Sequence, residues 1–384
     1  MNVKWPLMHN NISRSDANSI IDFLSQDPLP ILTNASKVKE FEQKWGEWLG
    51  TKYNVMVNSG SAANELSLLY LKYMFPEGGE VIVPPLAWVS DVAAVLHNDF
   101  TPVFCDIKIN NLALDIEDIK RKITPKTKAI LLIHILGYNG ISKELIQICK
   151  EKNILLIEDV CESHGATFNG QKVGTFGDIS NFSFYYAHHM TTIEGGMIST
   201  NDSDLYDIMK MKRSHGLARV SDNYETYIQK NPSIEKSFLF VSDGYNFRNT
   251  EIGAVLGLSQ LKRLGKFIEN RRNAYLKYVY IANRNGNFYP VVENKGNSSF
   301  CFPFICKTKN IKQKLITLFE ENGIEYRPVI SGNILMHPAF KKYKLCTQKE
   351  NPNVDILHKN GMYVGNSQFV NKEKIDLKNL LVVV

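Results

Sequence analysis

The chain has 384 residues, 44% of them hydrophobic and 22% charged, and its 45 basic and 39 acidic residues leave a net charge of +6. That length buries a large core and favours two structural units over one, while a slight, scattered basic excess suits an anionic small molecule and argues against nucleic acid. Met1-Asn-Val-Lys-Trp-Pro has no basic region followed by an apolar stretch, and no apolar run is long enough to span a bilayer, so a cytoplasmic protein with no membrane partner is expected.

In chain order, Tyr53 to Val57 reads as a strand, and Asn58-Ser-Gly-Ser-Ala-Ala-Asn64 follows it. This turn opens a helix that carries Leu66, Leu68, Leu69 and Leu71 and ends near Met74. Small residues here let backbone N–H groups and the helix dipole face a phosphate, although Ser-Gly-Ser before a helix also serves as a plain cap. Further apolar runs follow at Val81-Ile-Val-Pro, Val103-Phe-Cys-Asp, Ala129 to His134, Ile154 to Asp159 and Phe182 to Tyr185, with a helical spacing from Glu144 to Lys152. Continuous rather than alternating apolar runs mark a sheet covered on both faces, hence an α/β layer of mostly parallel strands with helical crossovers. Ligands of such sheets bind at the carboxyl ends of the strands. Asp159 stands at one of these ends, where a buried carboxylate is costly without a partner.

A long helix is predicted from Glu251 to Arg271, its apolar face built from Ile252, Val255, Leu256, Leu258 and Leu261. Beyond about residue 275 the chain is richer in Asn and Lys, with a strand at Phe300 to Ile305 and a helix at Ile311 to Asn322. We read a large domain over residues 1–255 and a smaller α+β domain over 256–384. The six cysteines, Cys105, Cys149, Cys161, Cys301, Cys306 and Cys346, have neither zinc nor iron-sulfur spacing, so free thiols are expected and a cluster is not. Adjacent His188 and His189 on extended backbone point to opposite sides and are not expected to share a metal. The sequon at Asn297-Ser-Ser is read as a chance match.

The segment Asn181-Phe-Ser-Phe-Tyr-Tyr-Ala-His-His-Met-Thr-Thr-Ile-Glu-Gly-Gly196 resembles the cofactor-attachment segment of the DegT/DnrJ/EryC1/StrS sugar aminotransferases. The resemblance extends from Val38-Lys-Glu-Phe-Glu into the C-terminal domain. It implies an aspartate-aminotransferase-like fold, the type I fold of pyridoxal-phosphate enzymes. In that family the residue at position 188 is the lysine that attaches the cofactor; here it is His188, which moves protons but cannot form an imine. The resemblance implies that Gly60, Ser61 and Ser183 bind the cofactor phosphate, that Trp88 covers its ring and that Asp159 pairs its ring nitrogen. Glu162 takes the place of a glutamine near the ring hydroxyl. Asn246 would reach the phosphate of a neighbouring subunit, implying a homodimer with shared active sites. His215, Arg219, Arg248 and Arg327 are candidates for substrate, because arginine grips carboxylate and phosphate with a planar fork.

The family has a subgroup in which histidine replaces the lysine, and this chain resembles it at Ala166-Thr-Phe-Asn, Thr175-Phe-Gly, Glu194-Gly-Gly, Gly244-Tyr-Asn and Gly365-Asn. That resemblance implies a 3-dehydratase of a nucleotide-linked 4-keto-6-deoxy hexose, GDP-linked by preference. Pyridoxal or pyridoxamine phosphate would be held without a covalent bond, and L-glutamate would donate the amine. His188 would act as the base, with a pKa expected near neutrality. The alternatives are an ordinary sugar aminotransferase and a catalytically silent cofactor-binding regulator.

Overall fold

The strand residues divide between two apolar surfaces, and that division makes their runs continuous. Val55 and Val57, Val81 and Val83, and Ala129 and Leu131 pack on one face, while Met56, Ile82, Ile130 and Leu132 pack on the other. The computed structural model describes residues 3–292, 296–346, 351–367 and 381. Before the sheet come helices α1 (Arg14–Leu24) and α2 (Ser36–Leu49), neither of them anticipated in the sequence reading. Ser13 and Asp16 form a capping box at the start of α1. Val38, Phe41, Trp45 and Leu49 give α2 a buried stripe at helical spacing.

The chain then alternates β1 (Tyr53–Val57), α3 (Gly60–Met74), β2 (Gly79–Val83), α4 (Val89–His97), β3 (Phe100–Phe104), α5 (Ile116–Lys122), β4 (Thr127–Ile133), α6 (Lys143–Lys152) and β5 (Leu155–Asp159). A small hairpin of β6 (Thr167–Phe168) and β7 (Gln171–Lys172) precedes β8 (Ile179–Ser183) and β9 (Gly196–Thr200). The seven long strands form one sheet in the order β1-β9-β8-β5-β4-β2-β3. Only β9 runs against its neighbours, pairing antiparallel with both β1 and β8. The predicted α/β class with a mostly parallel sheet is therefore observed; β9 itself escaped the sequence reading because Gly196 and two hydroxyl residues, Ser199 and Thr200, dilute its apolar run.

Helices α7 (Ser203–Arg213), α8 (Tyr224–Lys230) and α9 (Glu251–Ala282) follow. The last of these is longer than predicted, continuing past Arg271 because Tyr275, Tyr278, Val279 and Ala282 extend its buried stripe. It packs against α1 and α2 and runs toward a second, antiparallel sheet. That sheet has the order β10 (Cys301–Ile305), β12 (Gly361–Gly365), β11 (Tyr326–Arg327), flanked by α10 (Lys309–Glu321) and α11 (Pro352–Asn360). Asp106, just after β3, accepts the Asn353 and Val354 N–H groups at the start of α11 and clasps the two sheets together. Trp5 is buried and donates its indole N–H to Gly365 O at 2.8 Å, so the N-terminal segment straps the small sheet.

Among the described residues no helix is long and apolar enough to cross a membrane. Cys105, Cys149, Cys161, Cys301 and Cys306 are free thiols, whereas the Cys346 side chain lies outside the described residues. Asn297 is fully buried.

Candidate active site

Between the two sheets, the carboxyl ends of β1, β2, β5 and β8 open on a cavity of about 480 Å³. From β1 the chain turns directly into α3. Ser59 caps that helix by accepting the Ala62 N–H at 3.0 Å, and Gly60 and Ser61 line the cavity from its first turn, where backbone N–H groups have no intrahelical acceptor. Glycine is required at position 60, since a Cβ there would lie 2.6 Å from Ser183 Cβ and 3.1 Å from Cys161 Sγ. The helix start is thus pressed against the end of β8, and an anion cradle remains in front of both.

The chain leaving β2 reaches Trp88, the N-cap residue of α4, whose side chain is 58% exposed at the cavity mouth. At the end of β5, Asp159 is buried; its Oδ1 accepts the Cys161 N–H at 2.9 Å and its Oδ2 accepts Asn64 Nδ2 at 2.8 Å. Glu162, three residues on, accepts the Leu136 N–H at 2.9 Å. Burial raises its carboxyl to about 7, against the Leu136 hydrogen bond and with a smaller push from Asp159. A carboxyl with that pKa can either donate or accept a proton at neutral pH, which an amide at the same place could not do.

Beyond β8, Ser183 Oγ accepts the Tyr185 N–H at 3.2 Å, and the loop returning to β9 is pinned at both ends. Thr191 Oγ1 donates to Phe184 O at 3.0 Å, and the Phe184 N–H donates to Gly195 O at 2.8 Å. Within this loop a turn closed by the His188 N–H on Tyr185 O carries the His188 ring into the cavity. The ring centroid lies 5.6 Å from Phe300 and 6.0 Å from His164, and Nδ1 has no hydrogen-bond partner. Burial takes the His188 pKa down to about 4, opposed by Asp159 and assisted by Arg271. This corrects the near-neutral value expected from the sequence: enclosed by rings, the imidazole rests in its neutral form. His189 points away, its Nε2 against Ser298 O at 2.8 Å.

The cavity collects Gly60, Ser61, Trp88, Asp159, Glu162, Ser183 and His188, with Arg327 on the rim from the small sheet. It does not include Asn246, His215, Arg219 or Arg248. Those four lie together on the paired segments 214–219 and 244–248, joined by the Ser214–Asn246 bridge and by the His215 N–H on Tyr245 O; Asn246, His215 and Arg219 are exposed. Among the lining residues that sequence reasoning did not assign to the site are Asn64, Asp91 and Arg271. The available signals were an asparagine among the small and leucine positions of α3, and an arginine on the stripe Leu264, Ile268, Arg271, Tyr275 of α9. Arg271 is buried and donates to Phe300 O at 3.0 Å.

These residues fit the pyridoxal phosphate expected from the resemblance. They comprise an anion cradle at a helix start, an aromatic ring at the mouth and a buried carboxylate that has no ion-pair partner among the described residues. No lysine lines the cavity among the described residues, so the group would be held by hydrogen bonds and charge alone. The group has four kinds of contact to satisfy, and phosphate would go to Gly60, Ser61 and Ser183, the ring face to Trp88, the ring nitrogen to Asp159 and the ring hydroxyl to Glu162.

The DegT/DnrJ/EryC1/StrS aminotransferase family model matches residues 16–377. The chain belongs to this family. Within it, the chain is 38% identical over 357 residues to a GDP-4-keto-6-deoxy-D-mannose 3-dehydratase of Escherichia coli, covering 90% of this chain and 92% of that one. It is 33% identical over 392 residues to the enzyme of the same name from Yersinia pseudotuberculosis, covering 100% and 98%. The solved structure of a GDP-4-keto-6-deoxymannose-3-dehydratase with a trapped PLP-glutamate geminal diamine superposes with a TM-score of 0.88 at 33% identity, covering 99% of both chains. The aminotransferase fold expected from the sequence is therefore the fold of this DegT/DnrJ/EryC1/StrS member.

The raised Glu162 carboxyl gives a stability prediction. Its folded pKa of about 7 exceeds its ordinary 4.5, so it contributes stability below pH 4.5 that is lost as pH rises through 7. Glu162→Gln keeps an acceptor for the Leu136 N–H and removes the titration. The variant should gain on the parent between pH 5 and pH 8 by up to about 3 kcal/mol, as read by urea unfolding of the cofactor-free proteins at the two pH values.

Proposed function

We propose that the protein is a pyridoxal/pyridoxamine-phosphate-dependent 3-dehydratase of a GDP-linked 4-keto-6-deoxy hexose, working in the cytoplasm with L-glutamate as amine donor. The observation that carries this reading is the neutral, ring-enclosed His188 standing where an attaching lysine would be, in a cavity otherwise equipped for the cofactor. The names of the two dehydratase relatives, and the glutamate adduct in the solved neighbour, support the choice of substrate and donor.

When bound, the cofactor supplies an amine for the 4-keto carbon and a conjugated sink for electrons. Asp159 holds the ring nitrogen's proton and Trp88 covers one face of the ring. Gly60, Ser61 and Ser183 anchor the phosphate, taking over the fixing role of the missing lysine. His188, neutral at rest, takes the proton beside the amine nitrogen, and its imidazolium returns a proton to the departing C3 oxygen, which leaves as water. Across the cycle glutamate is oxidised to 2-oxoglutarate, the sugar C3 is reduced by loss of its hydroxyl, and the amine nitrogen leaves as ammonia. Histidine lacks the long flexible arm with which a lysine delivers a proton to the sugar carbon and recaptures the cofactor. For that reason elimination is favoured here over a completed amine transfer.

Asn246, with His215, Arg219 and Arg248, would complete the site of a second copy of the chain. Their shared position outside the single-chain cavity supports this, with Asn246, His215 and Arg219 exposed, as do the exposed apolar side chains Ile31, Phe238 and Phe240. Mixing inactive His188→Asn chains with inactive Asn246→Ala chains should then restore about a quarter of parental activity, because half of the mixed dimers' sites are intact; no recovery after subunit exchange would mean sites confined to one chain.

The decisive experiment incubates the protein with pyridoxal phosphate, glutamate and a GDP-4-keto-6-deoxy hexose, then assays ammonia and the mass of the sugar. Ammonia with a 3-deoxy-4-keto sugar supports the proposal. A stable amino sugar retaining its 3-hydroxyl would establish an aminotransferase instead.

A further inference from the structure

Asp91 is the third residue of α4, and in sequence it looks like an ordinary first-turn acid. Its Oδ2 accepts the Trp88 N–H at 3.0 Å. Its other oxygen faces inward, where Asn64 Nδ2 donates to Asp91 Oδ1 at 2.7 Å and to Asp159 Oδ2 at 2.8 Å. One amide nitrogen, with two hydrogens, thus holds two carboxyl groups side by side. Asn64 is itself fixed, since its carbonyl accepts Asn181 Nδ2 at 2.9 Å and Asn181 accepts Ser67 Oγ at 2.8 Å. Asn64 and Asp91 are each 1% exposed, and Ser67 and Asn181 are 0% exposed.

The groups facing the pair are the Trp88 and Cys161 N–H groups, the Cys161 thiol, the Glu162 carboxyl and the neutral His188 ring. None of these is a cation. Among the described residues neither Asp91 nor Asp159 has an ion-pair partner, so two full negative charges would face each other without compensation in a dry site. A proton shared between them removes that conflict, and Asp91 is the more enclosed of the two. Burial, and then the charge of Asp159, push the Asp91 carboxyl well above the usual carboxylate range.

We propose that Asp91 is a positioning residue, a neutral carboxylic acid whose proton is donated to Asp159 and which thereby sets the orientation and charge with which Asp159 meets the cofactor's ring nitrogen. Only the last clause rests on the cofactor reading above. Asn64 keeps the two groups in register. Trp88 and Asp159, both assigned to the cofactor ring, are tied to the same side chain, so the ring face and the ring nitrogen are positioned together.

The test begins on cofactor-free protein in the Glu162→Gln background, where the Glu162 carboxyl cannot contribute. Infrared spectra at pH 7 should contain a protonated-carboxyl carbonyl band that disappears in Asp91→Asn and shifts in Asp159→Asn, where the acceptor becomes an amide. Calorimetric titration with pyridoxamine phosphate then reads the second half. Asp91→Ala should bind about tenfold more weakly, and Asp91→Asn, whose oxygen keeps the Trp88 N–H and whose NH2 donates to Asp159 while the bond from Asn64 is lost, should recover part of that loss. Absence of the band, or equal losses in the alanine and asparagine variants, would overturn the proposal. If the band behaves as expected but Asp159→Asn leaves cofactor binding unchanged, the shared proton stands and the cofactor reading falls.

Discussion

Replacing His188 by asparagine is expected to lower dehydration by about 10²–10⁴-fold, the usual contribution of a positioned acid–base group, while the dissociation constant for pyridoxamine phosphate stays within about threefold of the parent. The two readouts separate because His188 contributes a proton acceptor and no cofactor anchor. Its Nδ1 has no hydrogen-bond partner and its ring is held by His164, Tyr185 and Phe300. Asparagine fills part of that space and cannot accept a proton near neutral pH. Steady-state ammonia release and calorimetric titration check the two halves. Equal loss of binding and turnover would assign His188 to holding the cofactor rather than to proton transfer.

Asp159→Asn is expected to weaken pyridoxamine phosphate binding by about tenfold to a hundredfold, corresponding to a charge-assisted hydrogen bond of about 1.5–3 kcal/mol. Turnover should fall further, because a ring nitrogen without its carboxylate is a poorer electron sink. The substitution is close to isosteric, and the single asparagine oxygen can still accept either the Cys161 N–H, held by Oδ1 in the parent, or Asn64 Nδ2, held by Oδ2. The fold should therefore survive with the loss of one of these two bonds, read as a modest fall in the thermal unfolding temperature of the cofactor-free protein. The contrast with Asp91→Asn is informative. The same chemical change a few ångströms away removes a group already neutral, and so costs far less.

Much of this was legible along the chain. The continuous apolar runs from Val81 to Asp159 pointed to a two-sided, mostly parallel sheet, and the polar end of one of them led to Asp159, whereas Ser183 came from the family resemblance, as did the stronger reading of Gly60 after the Tyr53–Val57 strand. Position 188 was readable because its neighbours Phe182-Ser-Phe and Glu194-Gly-Gly keep the family pattern around the substitution. The N-terminal helices escaped notice although Val38, Phe41, Trp45 and Leu49 repeat at helical spacing, and the end of α9 was set too early, at Arg271, although Tyr275, Tyr278, Val279 and Ala282 continue its buried stripe. Asp91 gave no chemical signal, since a first-turn acid is ordinary on any solvent-facing helix, and Asn64 stood out only as an asparagine among the small and leucine positions of α3.

The sequence by itself determined the fold class, the strand-end residues and the identity of the group at position 188, because these depend on local periodicity and on residue type. Only the tertiary structure decided the protonation behaviour: that His188 is neutral, that Glu162 titrates near 7, and that Asp91 lies against Asp159. These are consequences of desolvation and of charges brought together from β5, α3, α4 and α9, and no spacing along the chain encodes how dry a site will be or which distant carboxyl will share it.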